Sequence, residues 1–89
     1  MLRITKVSES PSLVTMKLEG RITTDWASLL EHECMRVLQE RRELVLDFSE
    51  VRFVDDRAVE VLGKMSGKKI RVINCCDLIK DLLRGGQNR

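Results

Sequence analysis

The stretch from Leu44 to Leu62 reads LVLDFSEVRFVDDRAVEVL, and its hydrophobic period changes halfway along. Leu44, Val45, Leu46 and Phe48 form a short, nearly unbroken apolar run, the pattern of a strand buried on both faces in a sheet covered by helices. Val51, Phe53 and Val54 continue the apolar character across a short connection. From Asp55-Asp56 the period becomes helical. Ala58, Val61, Leu62 and Met65 then fall on one face, with Glu60 and Lys64 outside. Either aspartate can cap this helix, because a side-chain carboxylate accepts the unpaired N–H groups of a first turn. Gly67, in Ser66-Gly67, is placed to end it in the left-handed conformation.

Downstream, Ile70, Val72 and Ile73 predict another short strand. Asp77 predicts the cap of a last helix with an apolar stripe of Leu78, Ile79, Leu82 and Leu83. Gly85-Gly86 should end that helix, leaving Gln87 to Arg89 frayed. Upstream, residues 2–7 alternate weakly and predict an edge strand. Ser8 to Ser12, with Pro11, is turn material. Residues 13–19 alternate well, with Val14, Met16 and Leu18 on one side and Thr15, Lys17 and Glu19 on the other; Gly20 should end this strand. Thr23, Thr24 and Asp25 are N-cap candidates for a helix whose stripe is Trp26, Leu29, Leu30, Val37 and Leu38, with Glu31, Glu33, Arg36, Glu40 and Arg41 opposite. Trp26 is expected to pack into the core rather than serve as a binding anchor.

The order strand, strand, helix, strand, helix, strand, helix predicts a small single α/β domain spanning residues 1–89. Its four-stranded sheet should be mixed and mostly parallel after an antiparallel start, packed with three helices. Eighty-nine residues leave little room for a second domain.

Composition narrows the function. The aromatic residues are Trp26, Phe48 and Phe53, too few for a base-stacking surface. A net charge of +2 is too small for a nucleic-acid footprint; Arg41-Arg42 and Lys68-Lys69 read as solvated segment ends. No apolar run approaches membrane-spanning length and the start carries no apolar signal segment, so no membrane insertion and a cytoplasmic location are expected. Cys34, Cys75 and Cys76 make an odd count with a vicinal pair, which suits a reducing compartment rather than a disulfide framework. With His32 as the lone histidine, no metal site is expected.

The Leu44–Leu62 segment resembles the signature of the STAS family, the anti-sigma-factor-antagonist type. That signature has a buried strand ending in Asp, an apolar-rich connection, and Asp-Ser-Ser-Gly opening a helix. Asp47 matches the strand-end Asp and Asp55 the Asp before the helix. Asp56 stands where many antagonists carry a phosphorylatable Ser, and Arg57 and Ala58 stand at the next Ser and the Gly. Gly20 to Thr23 resembles the turn leading into the first helix, and Ile70 to Leu83 the strand and helix after the signature. Many members add a further strand and helix beyond this point, burial that a homodimer would supply.

The resemblance implies a non-enzymatic, bacterial-type regulatory module that binds a protein, typically a kinase-like anti-sigma factor, and is released by phosphorylation of the helix-start Ser. It implies a contact surface around Thr23, Thr24, Asp55, Asp56, Arg57 and Ala58. Asp56 cannot be phosphorylated by a serine kinase; it is either a permanent mimic of the phosphorylated state or the mark of a member not controlled in this way. The alternative is an accessory subunit of a lipid-transport ABC system, bracing an ATPase subunit.

An enzyme is the competing class. Asp25, Asp47, Asp55 and Asp56 would have to gather at one end of the sheet and hold Mg²⁺ for phosphoryl chemistry. No lysine or nucleophile follows at a suitable spacing. A Cys75 thiolate has no nearby histidine, and a buried inert thiol is the expected state. No cofactor is expected either: Gly63-Lys64 lacks the upstream glycines of a phosphate loop.

Overall fold

The computed structural model describes residues 2–65 and 69–87, with side chains as far as residue 82. Its elements are β1 (Leu2–Glu9), β2 (Leu13–Ile22), α1 (Thr24–Gln39), β3 (Glu43–Val54), α2 (Asp56–Met65), β4 (Ile70–Ile73) and α3 (Asp77–Gln87). The strands lie side by side in the order β1-β2-β3-β4. β1 is antiparallel to β2, and β2–β3 and β3–β4 are parallel. The expected mixed α/β architecture is the one found.

The two crossovers, β2–α1–β3 and β3–α2–β4, step the same way across the sheet, so crossovers of one hand put both helices on one face. One apolar cluster accordingly joins Val14, Met16 and Leu18 of β2 and Leu44, Leu46 and Phe48 of β3 to Leu30 of α1, Val61 of α2 and Ile79 of α3. This corrects the expectation of a sheet covered on both faces. Val45 points away from the helices yet is only 8% exposed. It is flanked in register by Thr15 and Arg71, and the stem of a long side chain such as arginine can shield a small apolar neighbour without a second helical layer. The continuous apolar run therefore came from one strand flanked on both sides, not from two covered faces.

Other expectations need revision. Gly20 does not end β2, which continues to Ile22. Gly20 takes φ 107, a conformation open to glycine, and the pairing with β3 shifts between Gly20 and Arg21, so the glycine bends the strand rather than stopping it. The connection expected between Phe48 and Val51 is likewise part of β3, with a register shift opposite Lys17 to Glu19. In β1 a shift between Lys6 and Ser8 leaves Val7 57% exposed.

In α1 the buried stripe is Ala27, Leu30, Cys34 and Val37, rotated from the expected one, and Leu29 is exposed. Those four recur at helical spacing on one face that includes Leu30, and Leu29, one residue off it, is turned outward. Trp26 packs partly buried against the core. In α2 the predicted face is the observed one: Ala58, Val61, Leu62 and Met65 are all buried. The predicted Gly67 cap lies outside the described residues. In α3 the stripe is thinner than expected, since Ile79 is buried while Leu78 and Leu82 are exposed. That helix runs through Gly85-Gly86 to Gln87; a glycine costs an α-helix only about 1 kcal/mol, too little to stop it alone. Asp77 is its first residue, and the Cys76 carbonyl accepts the Lys80 N–H at 2.9 Å.

Candidate functional site

Two helix starts meet at the ends of β2 and β3. Thr23 is the N-cap of α1, extended at φ −109 and ψ 174, and its side chain makes no capping bond. Its carbonyl accepts the N–H groups of Trp26 and Ala27. The carboxylate that serves this terminus comes from the other helix. Asp55, at the N-cap of α2, accepts the Thr24 backbone N–H at 2.7 Å and the Thr24 hydroxyl at 3.0 Å through Oδ2. Through Oδ1 it accepts the Ala58 N–H at 2.9 Å. The Asp55 backbone N–H donates to the Ile22 carbonyl at 3.0 Å. One side chain thus caps its own helix and fastens the start of a second.

These bonds hold the Asp55 carboxyl below the usual carboxylate range; the Ala58 N–H contributes most, and the Thr24 hydroxyl and N–H add to it. Each favours the charged form because each donor is aimed at a lone pair.

Of the expected capping pair, Asp55 is therefore the cap. Asp56 is the first residue of α2 and is exposed. Among the described residues its carboxylate makes no hydrogen bond, and it lies in the first turn, where negative charge is favoured by the helix dipole. Arg57 is exposed beside it. Ala58 was expected on the contact surface, but it is fully buried; its role at the site is the N–H it gives to Asp55. Thr23 is half-buried and Thr24 exposed. The rim thus leaves Thr24, Asp56 and Arg57 exposed, with Asp55 spent on holding the two helix starts.

Three features of this end were not legible in the sequence. Arg21 lies with its guanidinium carbon 4.6 Å from the centre of the Phe53 ring, a cation–π contact between two exposed side chains that are paired in register. Asp47 accepts the Ser49 N–H at 2.9 Å and the Asn74 amide at 3.2 Å, which lowers its pKa, the Ser49 N–H foremost. Asn74 takes φ 57, so the chain leaving β4 turns sharply there. A short-range signal existed only for Asp47 and Ser49. The Thr24–Asp55 and Asn74–Asp47 bonds join residues far apart in sequence, which no local pattern announces.

Asp25, Asp47, Asp55 and Asp56 do not form a cation cage: no group of three or more His, Cys, Asp or Glu side chains suited to a metal occurs among the described residues. Cys75 is half-buried, and burial raises its pKa, which keeps it a thiol rather than a nucleophilic thiolate. His32 is exposed on α1. Cys34 is buried and its thiol is pushed up to about 12, chiefly by desolvation. Among the described residues no helix is long and apolar enough to cross a membrane.

The fold has relatives among solved structures. The anti-sigma factor antagonist SpoIIAA in its unphosphorylated form superposes with a TM-score of 0.72 at 14% identity, covering 94% of this chain and 84% of that one. The protein Mglu matches with a TM-score of 0.68 at 17% identity over 81% of this chain, which spans only 19% of Mglu. An antisigma-factor antagonist STAS domain from Rhodobacter sphaeroides matches with a TM-score of 0.63 at 16% identity, covering 82% of this chain and 86% of that domain. At such identities the likeness is one of fold. No curated protein matches the chain in sequence. The family assignment rests on the sequence itself: residues 5–84 match the family model described as Mlab, STAS domain, and the chain belongs to that STAS family.

Proposed function

We propose that this chain is a non-enzymatic, protein-binding regulatory module of the anti-sigma-factor-antagonist kind, and that its contact surface is the rim around Thr24, Asp56 and Arg57. The observation that carries the reading is the division of labour between the two aspartates: Asp55 is consumed by Thr24 and Ala58, while Asp56 is left exposed on the first turn. A carboxylate there is electrostatically comfortable, so the first turn of α2 carries a fixed negative charge without modification, with Arg57 beside it. It carries about one charge where phosphoserine carries nearly two, so it imitates a phosphorylated helix start only in part. The partner is a kinase-like anti-sigma factor, and the association is set by the sequence rather than by a kinase acting at this position.

The test is co-purification of that partner with wild type, Asp56→Ser and Asp56→Ala. The expected result is that Asp56→Ala changes the amount of partner retained, and that Asp56→Ser becomes sensitive to the kinase. Identical retention by all three would remove the rim from the interface.

A second reading, an accessory subunit bracing the ATPase subunit of a lipid-transport ABC system, is favoured by two observations. The matched family model is described by Mlab rather than by an antagonist, and the first turn of α2 lacks the hydroxyl that a serine-kinase switch needs. Stoichiometric co-purification with an ATPase subunit in place of a kinase-like protein decides for it.

A further inference from the structure

The opposite end of the sheet carries a cleft that the rim does not use. Met35, Leu38 and Gln39 from the last turns of α1 line it together with Arg41, Arg42 and Lys69, around a volume of about 490 Å³. That volume falls in the range of small-molecule sites. A second cleft of about 310 Å³ adjoins it through Lys69 and extends past Ile70 to Arg71. The floor is apolar, and the mouth is cationic.

The cations are not equivalent. Arg42 is spoken for: it is paired with Glu9 at 2.6 Å and with Glu40, and only 15% of its side chain is exposed. Arg41, Lys69 and Arg71 are exposed and have no ion pair among the described residues. Glu43 is the one carboxylate among the described residues that line the two clefts.

Arg41 is held at the mouth by the backbone. The Arg41 N–H donates to the Leu38 carbonyl at 2.9 Å and the Arg42 N–H to the Val37 carbonyl at 3.5 Å, which is the Schellman ending of an α-helix. This ending puts Arg41 at φ 62, a conformation in which glycine is the unstrained residue. A long cationic side chain thus stands where the backbone prefers none. The same bonds occupy the helix-end carbonyls of Val37 and Leu38, which would otherwise face an approaching anion.

We infer that this cleft binds a single-chain anionic amphiphile as a free monomer, with the apolar tail along Met35 and Leu38 and a phosphate or carboxylate head between Arg41 and Lys69. An apolar floor alone would accept a tail of any head charge; two unpaired cations at its mouth select the anion. Binding here is separate from the rim, since the two lie at opposite ends of β2 and β3.

The test is an amide chemical-shift titration of the full chain with dodecyl phosphate below its micelle concentration. Dodecyltrimethylammonium supplies the tail without the anion, inorganic phosphate the anion without the tail, and anionic phospholipid vesicles the bilayer source. The expected result is saturable shifts centred on Met35, Leu38, Arg41 and Lys69 with dodecyl phosphate, and none with the three controls. Arg41→Gly is expected to weaken binding about tenfold or more, the worth of one charge-assisted hydrogen bond, while the variant resists unfolding better than wild type. Lys69→Glu should weaken it at least as much. Equal response to the cationic amphiphile, association with vesicles only, shifts centred elsewhere, or undiminished binding by Arg41→Gly would each overturn the assignment.

Discussion

The two ends of the parallel strands are built around opposite charges and use them differently. At the end where α1 and α2 begin, N–H groups need acceptors, and the residue supplied is Asp55. At the end where α1 stops, carbonyls need donors, and the residues supplied are Arg41 and Arg42. Both choices suit the helix dipole. The difference is in what is left over. Asp55 gives its oxygens to Thr24 and Ala58, so its charge is consumed by the fold. At the other end backbone N–H groups close the helix by themselves, so the charge of Arg41 is free. A charged residue at a helix end is thus structural or available according to whether its side chain or its backbone does the capping.

Removing Asp55 should have the largest effect. Asp55→Ala takes away three hydrogen bonds and disconnects two helix starts at once, so its loss of stability should be at least double that of any single-bond deletion at the rim. Denaturant unfolding measures it. The same carboxylate sets part of the acid response. Its folded pKa is lowered, so its contribution is complete above the ordinary carboxylate pKa near 4 and is lost as pH falls through the depressed folded value. Asp47 and Glu9 are lowered too, the latter mainly by Arg42. Both ends therefore weaken in acid, and Asp55→Ala should shrink the acid-dependent loss of stability without abolishing it.

Arg41→Gly should act in the opposite direction. Relief of a left-handed non-glycine residue is worth about 1–2 kcal/mol, and the greater freedom of glycine in the unfolded chain takes back about 0.4–1 kcal/mol. The net expectation is about 0–1.6 kcal/mol of added stability, centred on ~0.8 kcal/mol, read as a higher denaturation midpoint with an unchanged slope. A destabilised variant would mean that the guanidinium is itself a structural group, and the contrast between the two ends would fail.

Much of this layout was visible in the sequence. The period change at Asp55-Asp56 located α2 and its buried face, because Ala58, Val61, Leu62 and Met65 are spaced for one stripe and nothing competes for it. α1 is legible in extent but not in rotation: Leu29 outweighs Ala27 in any hydrophobicity pattern, whereas the buried face is Ala27, Leu30, Cys34 and Val37, and Leu29 lies one residue off it. The capping pair was legible as a pair. Which member caps was not, since Asp55 and Asp56 differ only in the backbone position that the folded chain assigns to them. The cleft at the other end has no local signal, because Arg41-Arg42 and Lys69 look like ordinary solvated ends until the fold brings the end of α1 and Lys69 to one cleft.

Thr24→Val isolates the hydroxyl contribution at the rim, because the 2.7 Å bond from the Thr24 N–H to Asp55 survives. The expected loss is about 0.5–1 kcal/mol, the usual net worth of one hydrogen bond. Combined with Asp55→Ala it should add nothing further, since its partner is already gone. Full additivity in that double-mutant cycle would show that the two helix starts are not joined through this carboxylate.

The smallest effect on stability is expected at Asp56, and its smallness is what gives the position meaning. An exposed first-turn carboxylate without a hydrogen-bond partner among the described residues contributes its interaction with the helix dipole, about 0.3–1 kcal/mol at low ionic strength and less in salt. Asp56→Ala should therefore shift stability by no more than about 0.5 kcal/mol at physiological salt. A residue that matters little to the fold and stands on an accessible rim is free to be chosen for its surface, whereas Asp55, one position earlier, is not. If Asp56→Ala instead unfolds as readily as Asp55→Ala, the two carboxylates share one structural task, and neither is spare for a partner.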